Sequence, residues 1–455
     1  MTKEIDVVNA ELHDERKGLY IKTFGCQMNE YDSAKLGKLL ETTHRLVSDP
    51  QDASLILINT CSVREKPAEK LFSMLGQFRE LKESNFKLLI GVGGCVAQQE
   101  GEKIIKRSRL VDFVFGTHNL SLVPSLVSLC EKGDCPQVAI DYRDEWESLP
   151  LGFVEQDRVS IFVTISRGCN KKCAYCIVPR TRGPEVSRNP NEILRELEIS
   201  VRSGVKEVTL LGQNVNSYGH DLNPRSSFAE LLAKVSQIEG LKRIRFTSPH
   251  PQEVKQDFID IIGENPKICK HVHLPLQSGS NSILKSMRRN YRREKYLSIV
   301  SAIKNKVPDI SFTTDIIVGF PGESEKDFLD TLSIIEEVQF DSSFSFMFSP
   351  RPGTVAAELE GQIEEAEKLR RLQMLQRKQL EISEVRLKNW IGQKGEILID
   401  GPSASNKQIL QGRLSQNLMV NLNAPYETIK PGMLLEVEII EAGRHTLKAK
   451  PVMDK

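Results

Sequence analysis

No apolar run in this chain of 455 residues approaches the roughly 20 residues a helix needs to cross a bilayer, which excludes a membrane protein of the helical kind. Net charge is nearly absent as well: 62 Lys and Arg stand against 61 Asp and Glu, leaving +1. The molecule as a whole is no polycation, and any contact with nucleic acid has to come from local basic patches. The opening stretch, MTKEIDVVNAELHDERKG, lacks the apolar centre of a signal peptide, so the expected location is the cytoplasm. Thiols stay reduced there, and the nine cysteines read as metal ligands or catalytic groups instead of a disulfide framework. Cys130 and Cys135, without further ligands nearby, read as free thiols; Cys269 has no expected role, and the eight histidines show no metal-ligand spacing.

What is present is a chain long enough for two to four domains. Its first part repeats itself. YIKTFGC, SLILINTC and KLLIGVGGC are apolar, strand-like runs that end in Cys26, Cys61 and Cys95, spaced 35 and 34 residues apart, and each is followed by a helix-like stretch. Such units build a parallel sheet by right-handed crossovers, so all three thiols are expected at the carboxyl edge, where open parallel sheets bind ligands. A fourth strand, 111–116, and a helix around 121–131 complete this unit.

After a charged linker (141–158), six further runs alternate with helical stretches: VSIFVTIS, EVTLLGQN, RIRFTSPH, HVHLPLQSG, ISFTTDIIVGF and FDSSFSFMFSP. This pattern predicts a partial barrel of parallel strands, with the chemistry at its carboxyl mouth. His271 and His273 fall on a barrel strand. A basic helical connector follows at 361–389. From residue 390, short alternating runs with Gly and Pro-Gly punctuation predict a small antiparallel β-barrel.

Cys169, Cys173 and Cys176 stand just after the first barrel strand in C-x3-C-x2-C spacing. A structural zinc site would be closed by a fourth ligand, and none follows nearby. Three soft thiolates suit a cubane cluster with one iron left open. The motif RGCNKKCAYC, with Tyr175 before the third cysteine, resembles the signature of the radical S-adenosylmethionine superfamily. In that superfamily the open iron chelates the cofactor, whose reductive cleavage yields a 5′-deoxyadenosyl radical. By the same resemblance Gly319 and Gly322 of GFPGE match the adenine-side segment, and Gln213, Asn214, Gln277 and Ser278 are strand-end candidates at the mouth; the acidic residue many relatives have near Gln213 is missing here.

TFGCQMNEYDS, INTCSVREK, GVGGCVAQQEG, RGCNKKCAYC, PRTRGPEVSR, LLGQNVNSYG, HLPLQSGS, DIIVGFPGE and FSPRPGT together resemble the methylthiotransferase family, in particular its MiaB branch, over roughly 18–450. Gly25-Cys26-Gln27-Met28-Asn29 sets the chain apart from the ribosomal-protein branch (GCPKN) and the threonylcarbamoyladenosine branch (GCKVN). The resemblance implies an α/β protein of three parts: a methylthiotransferase domain over 18–140, a radical S-adenosylmethionine core over 155–388, and a TRAM RNA-binding domain over 389–452. It implies two [4Fe–4S] clusters, an auxiliary one on Cys26, Cys61 and Cys95 and a radical-generating one on Cys169, Cys173 and Cys176, with S-adenosylmethionine bound by Tyr175, Gln213, Gly319, Gly322 and Gln277. The implied reaction converts N6-dimethylallyladenosine beside the tRNA anticodon to its 2-methylthio derivative. The protein is expected as a monomer, served by an electron donor such as a flavodoxin or ferredoxin.

Two other readings remain open at this point: the same chemistry on another tRNA adenosine or on a ribosomal protein side chain, and a non-catalytic zinc-dependent RNA-binding protein. The base to be modified has to be unstacked and brought between the clusters. Arg288, Arg289, Arg292 and Arg293, with Arg167, Lys171, Lys172, Arg180, Arg182 and Arg188, are the expected basic patches for RNA.

Overall fold

The computed structural model describes residues 14–62, 67–143, 145–152, 158–403, 406–422 and 428–452. The first unit is a wholly parallel sheet of β1 (Lys17–Thr23), β2 (His44–Leu46), β3 (Leu55–Thr60), β4 (Leu89–Gly94), β5 (Phe113–Phe115) and β6 (Gln137–Ala139), in the order β2-β1-β3-β4-β5-β6. Every residue of β3 and β4 is buried, as expected of central strands covered on both faces. The sheet has two more strands than the four expected. β2 and β6 are three-residue edge strands, too short to show a periodicity.

The second unit holds six parallel strands. After β7 (Ser160–Thr164) comes a small antiparallel hairpin, β8 (Ser166–Arg167) and β9 (Val186–Ser187), which frames the cysteine loop. Then follow β10 (Glu207–Leu211), β11 (Arg243–Phe246), β12 (His271–His273), β13 (Ser311–Val318) and β14 (Ser342–Met347). They pair as β7-β10-β11 and β12-β13-β14, and a single bridge, Ile244 to Ile268, joins the halves. This is the expected partial barrel.

The last unit is a closed barrel of β15 (Lys394–Pro402), β16 (Leu410–Leu414), β17 (Met419–Leu422), β18 (Leu434–Ala442) and β19 (Leu447–Pro451). The expectation of an antiparallel barrel needs one correction: β17 and β19 pair in parallel, which closes the barrel. The unit sits at the end of the larger barrel opposite the mouth. Arg245 Nη2 and Nη1 donate to Leu414 O (2.8 Å) and Ser415 O (3.0 Å), and Lys270 N donates to Ser415 Oγ (2.9 Å).

Helix Gln27–Leu40 of the first unit lies against helix Pro190–Arg202 of the second through a fully buried polar network. Glu196 takes Lys35 Nζ on one carboxylate oxygen and Arg188 Nη1 on the other. Tyr31 OH adds a bond to Glu196 Oε2 at 3.2 Å, and Lys35 Nζ also donates to Pro150 O at 2.9 Å.

Cys130 and Cys135 are bonded to each other, with Cα atoms 5.0 Å apart, which corrects their reading as free thiols. The turn after helix Val123–Glu131 folds back on itself: Gly133 N donates to Cys130 O (3.0 Å) and Asp134 N to Leu129 O (3.0 Å). Spacing alone did not show that return. Among the described residues no helix is long and apolar enough to cross a membrane.

Candidate iron–sulfur and cofactor site

β1, β3 and β4 are neighbours in the sheet, in register from Thr23 with Asn59 and from Thr60 with Gly94. The residues that follow them therefore emerge side by side. Cys26 caps helix Gln27–Leu40 and Cys95 opens helix Cys95–Glu100, so two of the three thiols stand at helix N-termini, where a thiolate is favoured. The turn before Cys26 needs glycine: Gly25 has φ +118°, and a Cβ there would lie 2.2 Å from Cys61 Cβ and 2.8 Å from its sulfur. Hydrogen bonding with Cys61 holds the Cys26 thiol well below the usual thiol range; Arg182 and the backbone N–H groups of Asn29 and Met28 act in the same direction. A cavity of about 480 Å³ opens beside this set, lined by Gly25, Thr60, Cys61 and Lys70.

Cys169, Cys173 and Cys176 occupy the loop between β8 and β9. Its entry also needs glycine, since a Cβ on Gly168 (φ +73°) would come within 1.9 Å of Pro184 O. Ala174 N donates to Met287 O and Ala356 N to Ala174 O, 2.9 and 2.8 Å, fastening the loop to the segments after β12 and β14. Arg289 Nη1 lies 3.6 Å from Cys173 Sγ. Burial pushes Cys176 up to about 12 and raises Cys169, so thiolates here require a cation to pair with. Among the described residues no three His, Cys, Asp or Glu side chains gather tightly enough to hold a single metal ion. Each set instead presents three soft donors, with the chemistry that an iron–sulfur cluster accepts.

Contacts join the surroundings of the first set to the cysteine loop and the barrel. Arg182, from the loop that carries Cys169–Cys176, donates to Asn29 and Asp32 and lies near Cys95. Gln213, at the end of β10, donates through Nε2 to Met28 Sδ, two residues from Cys26. A cavity of about 540 Å³ runs along the barrel strands from Gln27 to the terminal barrel, lined by Phe162, Thr209, Arg245 and His271 and by Asp400 and Arg413.

Five buried polar atoms without a hydrogen-bond partner among the described residues lie at the ends of the first three barrel strands: Ser166 Oγ, Gln213 Oε1, both amide atoms of Asn214, and His250 Nε2. His250 Nδ1 accepts from Gln252 N at 3.2 Å, and burial, with Arg289 and Lys171 adding, pushes its pKa down to about 2. The ring is therefore neutral with its proton on Nε2. A row of unsatisfied donors and acceptors beside the cysteine loop fits an amino-acid-bearing cofactor such as S-adenosylmethionine. His250 escaped the sequence reading because nothing in its spacing marks it; only its missing partner does.

Other expected site residues fare unequally. Tyr175 packs beside Phe320 and Phe348 under the loop. Gln277 bridges to Ile316 at the mouth with φ +70°. Ser278 turns away, with Oγ 3.4 Å from Thr331 Oγ1, and so serves the helix that follows β13. Gly319 and Gly322 both have positive φ; Gly319 N donates to Glu323 Oε2 (2.7 Å), while the space beside Gly322 is open. The expected RNA patches need correction. Arg167, Arg182, Arg188 and Arg289 are buried and engaged inside the protein, and Lys171 pairs with Glu253. Lys172, Arg180, Arg288 and Arg292 remain exposed.

Residues 163–335 match the model of the radical SAM superfamily, and residues 18–116 that of the uncharacterized protein family UPF0004. The fold is shared with a radical S-adenosylmethionine methyltransferase, TsrM, from Kitasatospora setae, with a TM-score of 0.55 at 13% identity, over 75% of this chain and 77% of that one. Fold, cysteine loop and family model together define a radical S-adenosylmethionine enzyme. Much nearer in sequence are two curated relatives. The tRNA-2-methylthio-N(6)-dimethylallyladenosine synthase of Geobacter metallireducens is 48% identical, over 89% of this chain and 92% of its own length. That of Geobacter sulfurreducens is 44% identical, over 97% and 99%. The chain belongs to the family of tRNA-2-methylthio-N(6)-dimethylallyladenosine synthases.

Proposed function

We propose that this enzyme attaches a methylthio group to C2 of N6-dimethylallyladenosine next to the anticodon of tRNA. Cys169, Cys173 and Cys176 hold one [4Fe–4S] cluster, and Cys26, Cys61 and Cys95 hold the auxiliary one. When bound, clusters and S-adenosylmethionine supply radical chemistry and sulfur, which a C2–H bond without an acidic proton demands. Ser166, Gln213, Asn214 and His250 offer the polar ends of the cofactor their unpaired groups; Tyr175, Gly319, Gly322 and Gln277 complete its cradle. The observation that supports the reading is the contact of Arg182, from the loop of one three-cysteine set, with Asn29 beside the other set.

The substrate base enters from the open side of the barrel, between β7 and β14. Phe344 and Phe346 are 60% and 45% exposed there. They share their face of the sheet with their register partners Asp315 and Ile317, and the ring of Phe344 stands 5.9 Å from that of His273. They form the surface on which the base and its dimethylallyl arm lie. Lys172, Arg180, Arg288 and Arg292 meet phosphates around the mouth. The terminal barrel, at the far end of the strands, meets RNA away from the target base. The work is divided among residues 18–140, 155–388 and 389–452; residue 155 lies outside the described residues. The protein acts as a monomer in the cytoplasm with a flavodoxin or ferredoxin as electron donor.

Nucleoside analysis of tRNA from a strain lacking the protein tests the reading. The 2-methylthio derivative is expected to vanish while N6-dimethylallyladenosine accumulates, and the Cys173→Ala variant should not restore it. An unchanged level of the 2-methylthio derivative overturns the proposal.

A further inference from the structure

The loop carrying Cys169, Cys173 and Cys176 does not end at the barrel. Helix Val178–Thr181 follows at once and packs on the helix that Cys95 opens. Thr117 Oγ1 donates to Thr181 O at 2.7 Å, and His118 Nε2 lies 2.9 Å from Arg182 O. These contacts pin the backbone at residue 182 to the first unit and direct its side chain inward. The guanidinium of Arg182 is buried, and its Nη2 donates to Asn29 Oδ1 and Asp32 Oδ2, each at 3.0 Å. Asn29 is held in turn by Thr60 O at 2.7 Å and Phe24 O at 3.0 Å. Both arginine bonds leave from one nitrogen, so donors of the five-proton fork remain; Cys26 Sγ lies 3.6 Å from the same Asn29 Oδ1 that Arg182 holds, and Cys95 is close to the guanidinium.

A cation buried beside an iron–sulfur cluster favours its more negative, reduced state, and hydrogen bonds to the sulfurs act in the same direction. We propose that Arg182 is a positioning residue for the auxiliary cluster: it donates to the sulfurs on the Cys26–Cys95 side and raises that cluster's reduction potential, from the very loop that grips the other cluster. The proposal rests on the reading above that Cys26, Cys61 and Cys95 hold a cluster. It gives each cluster site a stake in the same fourteen-residue strap, Cys169 to Arg182.

The test uses full-length protein in which Cys169, Cys173 and Cys176 are all replaced by alanine, so that every iron signal comes from the first set. Arg182→Gln and Arg182→Lys are added, the proteins are reconstituted anaerobically, iron is quantified, and a redox titration is followed by electron paramagnetic resonance. The potential is expected to fall in Arg182→Gln and to fall less in Arg182→Lys, which keeps the charge but loses the planar fork. Should Arg182→Gln lose its iron, Arg182→Lys decides, and its potential is expected below the parent's. A spectrum and potential equal to the parent's in Arg182→Gln, or in Arg182→Lys should only that variant fold, overturns it. A parent that binds no iron refutes the cluster reading itself, and the proposal falls with it.

Discussion

Replacing Glu196 with alanine leaves two cations, Lys35 and Arg188, facing each other in a site from which water is excluded; Lys35 and Glu196 are fully buried and Arg188 nearly so. Removing one partner of a buried ion pair costs about 3–5 kcal/mol, because the remaining charge is neither solvated nor matched. Here the shared carboxylate goes, which puts Glu196→Ala at the upper end of that range. Glu196→Gln keeps the volume and some hydrogen bonds and should lose less. Lys35→Met leaves Glu196 with Arg188 and Tyr31, so its loss should be the smallest of the three. Trp146 reports on this interface, with Arg167 and Arg188 lying 5.5 and 5.9 Å from its ring centre. In a Trp390→Phe background, urea titration of Trp146 fluorescence isolates its opening from that of the terminal barrel. An ordering of Ala, then Gln, then Met confirms the reasoning. A loss below about 1 kcal/mol for Glu196→Ala, the range of exposed pairs, refutes it.

Phe344→Ala with Phe346→Ala should weaken binding of an anticodon stem-loop bearing the dimethylallyl group about tenfold or more, as measured by fluorescence anisotropy, and affect the unmodified loop less, since the apolar arm loses its contact. Gly25→Ala should lower auxiliary-cluster iron while the Cys169–Cys176 set keeps its own, because the new methyl meets Cys61 in a turn that disfavours side chains; iron assays in a Cys173→Ala background separate the two. For pH, the folded-state pKa of His250 lies at about 2, below its usual value, so the unfolded chain binds the extra proton. Its contribution is therefore complete above about pH 6.5 and is lost on acidification toward 2, by at most about 1.4 kcal/mol per pH unit. Urea midpoints between pH 7 and 5 should fall less steeply in His250→Gln than in the parent.

Where a feature depends on local pattern, the residues alone revealed it. The recurrence of Cys26, Cys61 and Cys95 after apolar runs placed three thiols on adjacent parallel strands, and six alternating runs announced the partial barrel. Features set by distant partners stayed hidden. Arg182, Arg188 and Arg289 look like surface charge in the chain, yet each is withdrawn to serve Asp32, Glu196 or Cys173. β2 and β6 gain strand character only from the edge they extend. The orphaned Nε2 of His250 and amide of Asn214 become visible only when every neighbour has been placed. Phe344 and Phe346 belong to a run recognisable as a barrel strand, and their exposure follows from the barrel's not closing beside them.

The proposed function requires that two separate three-thiolate sites each carry a four-iron cluster. Anaerobic reconstitution followed by iron and sulfide analysis of wild type, Cys61→Ala and Cys173→Ala tests it directly. Each variant is expected to retain about half of the wild-type iron and to make no 2-methylthio product, and the two lost halves to differ in their paramagnetic spectra. Wild-type iron content in Cys61→Ala, or loss of all iron from either single variant, would contradict it.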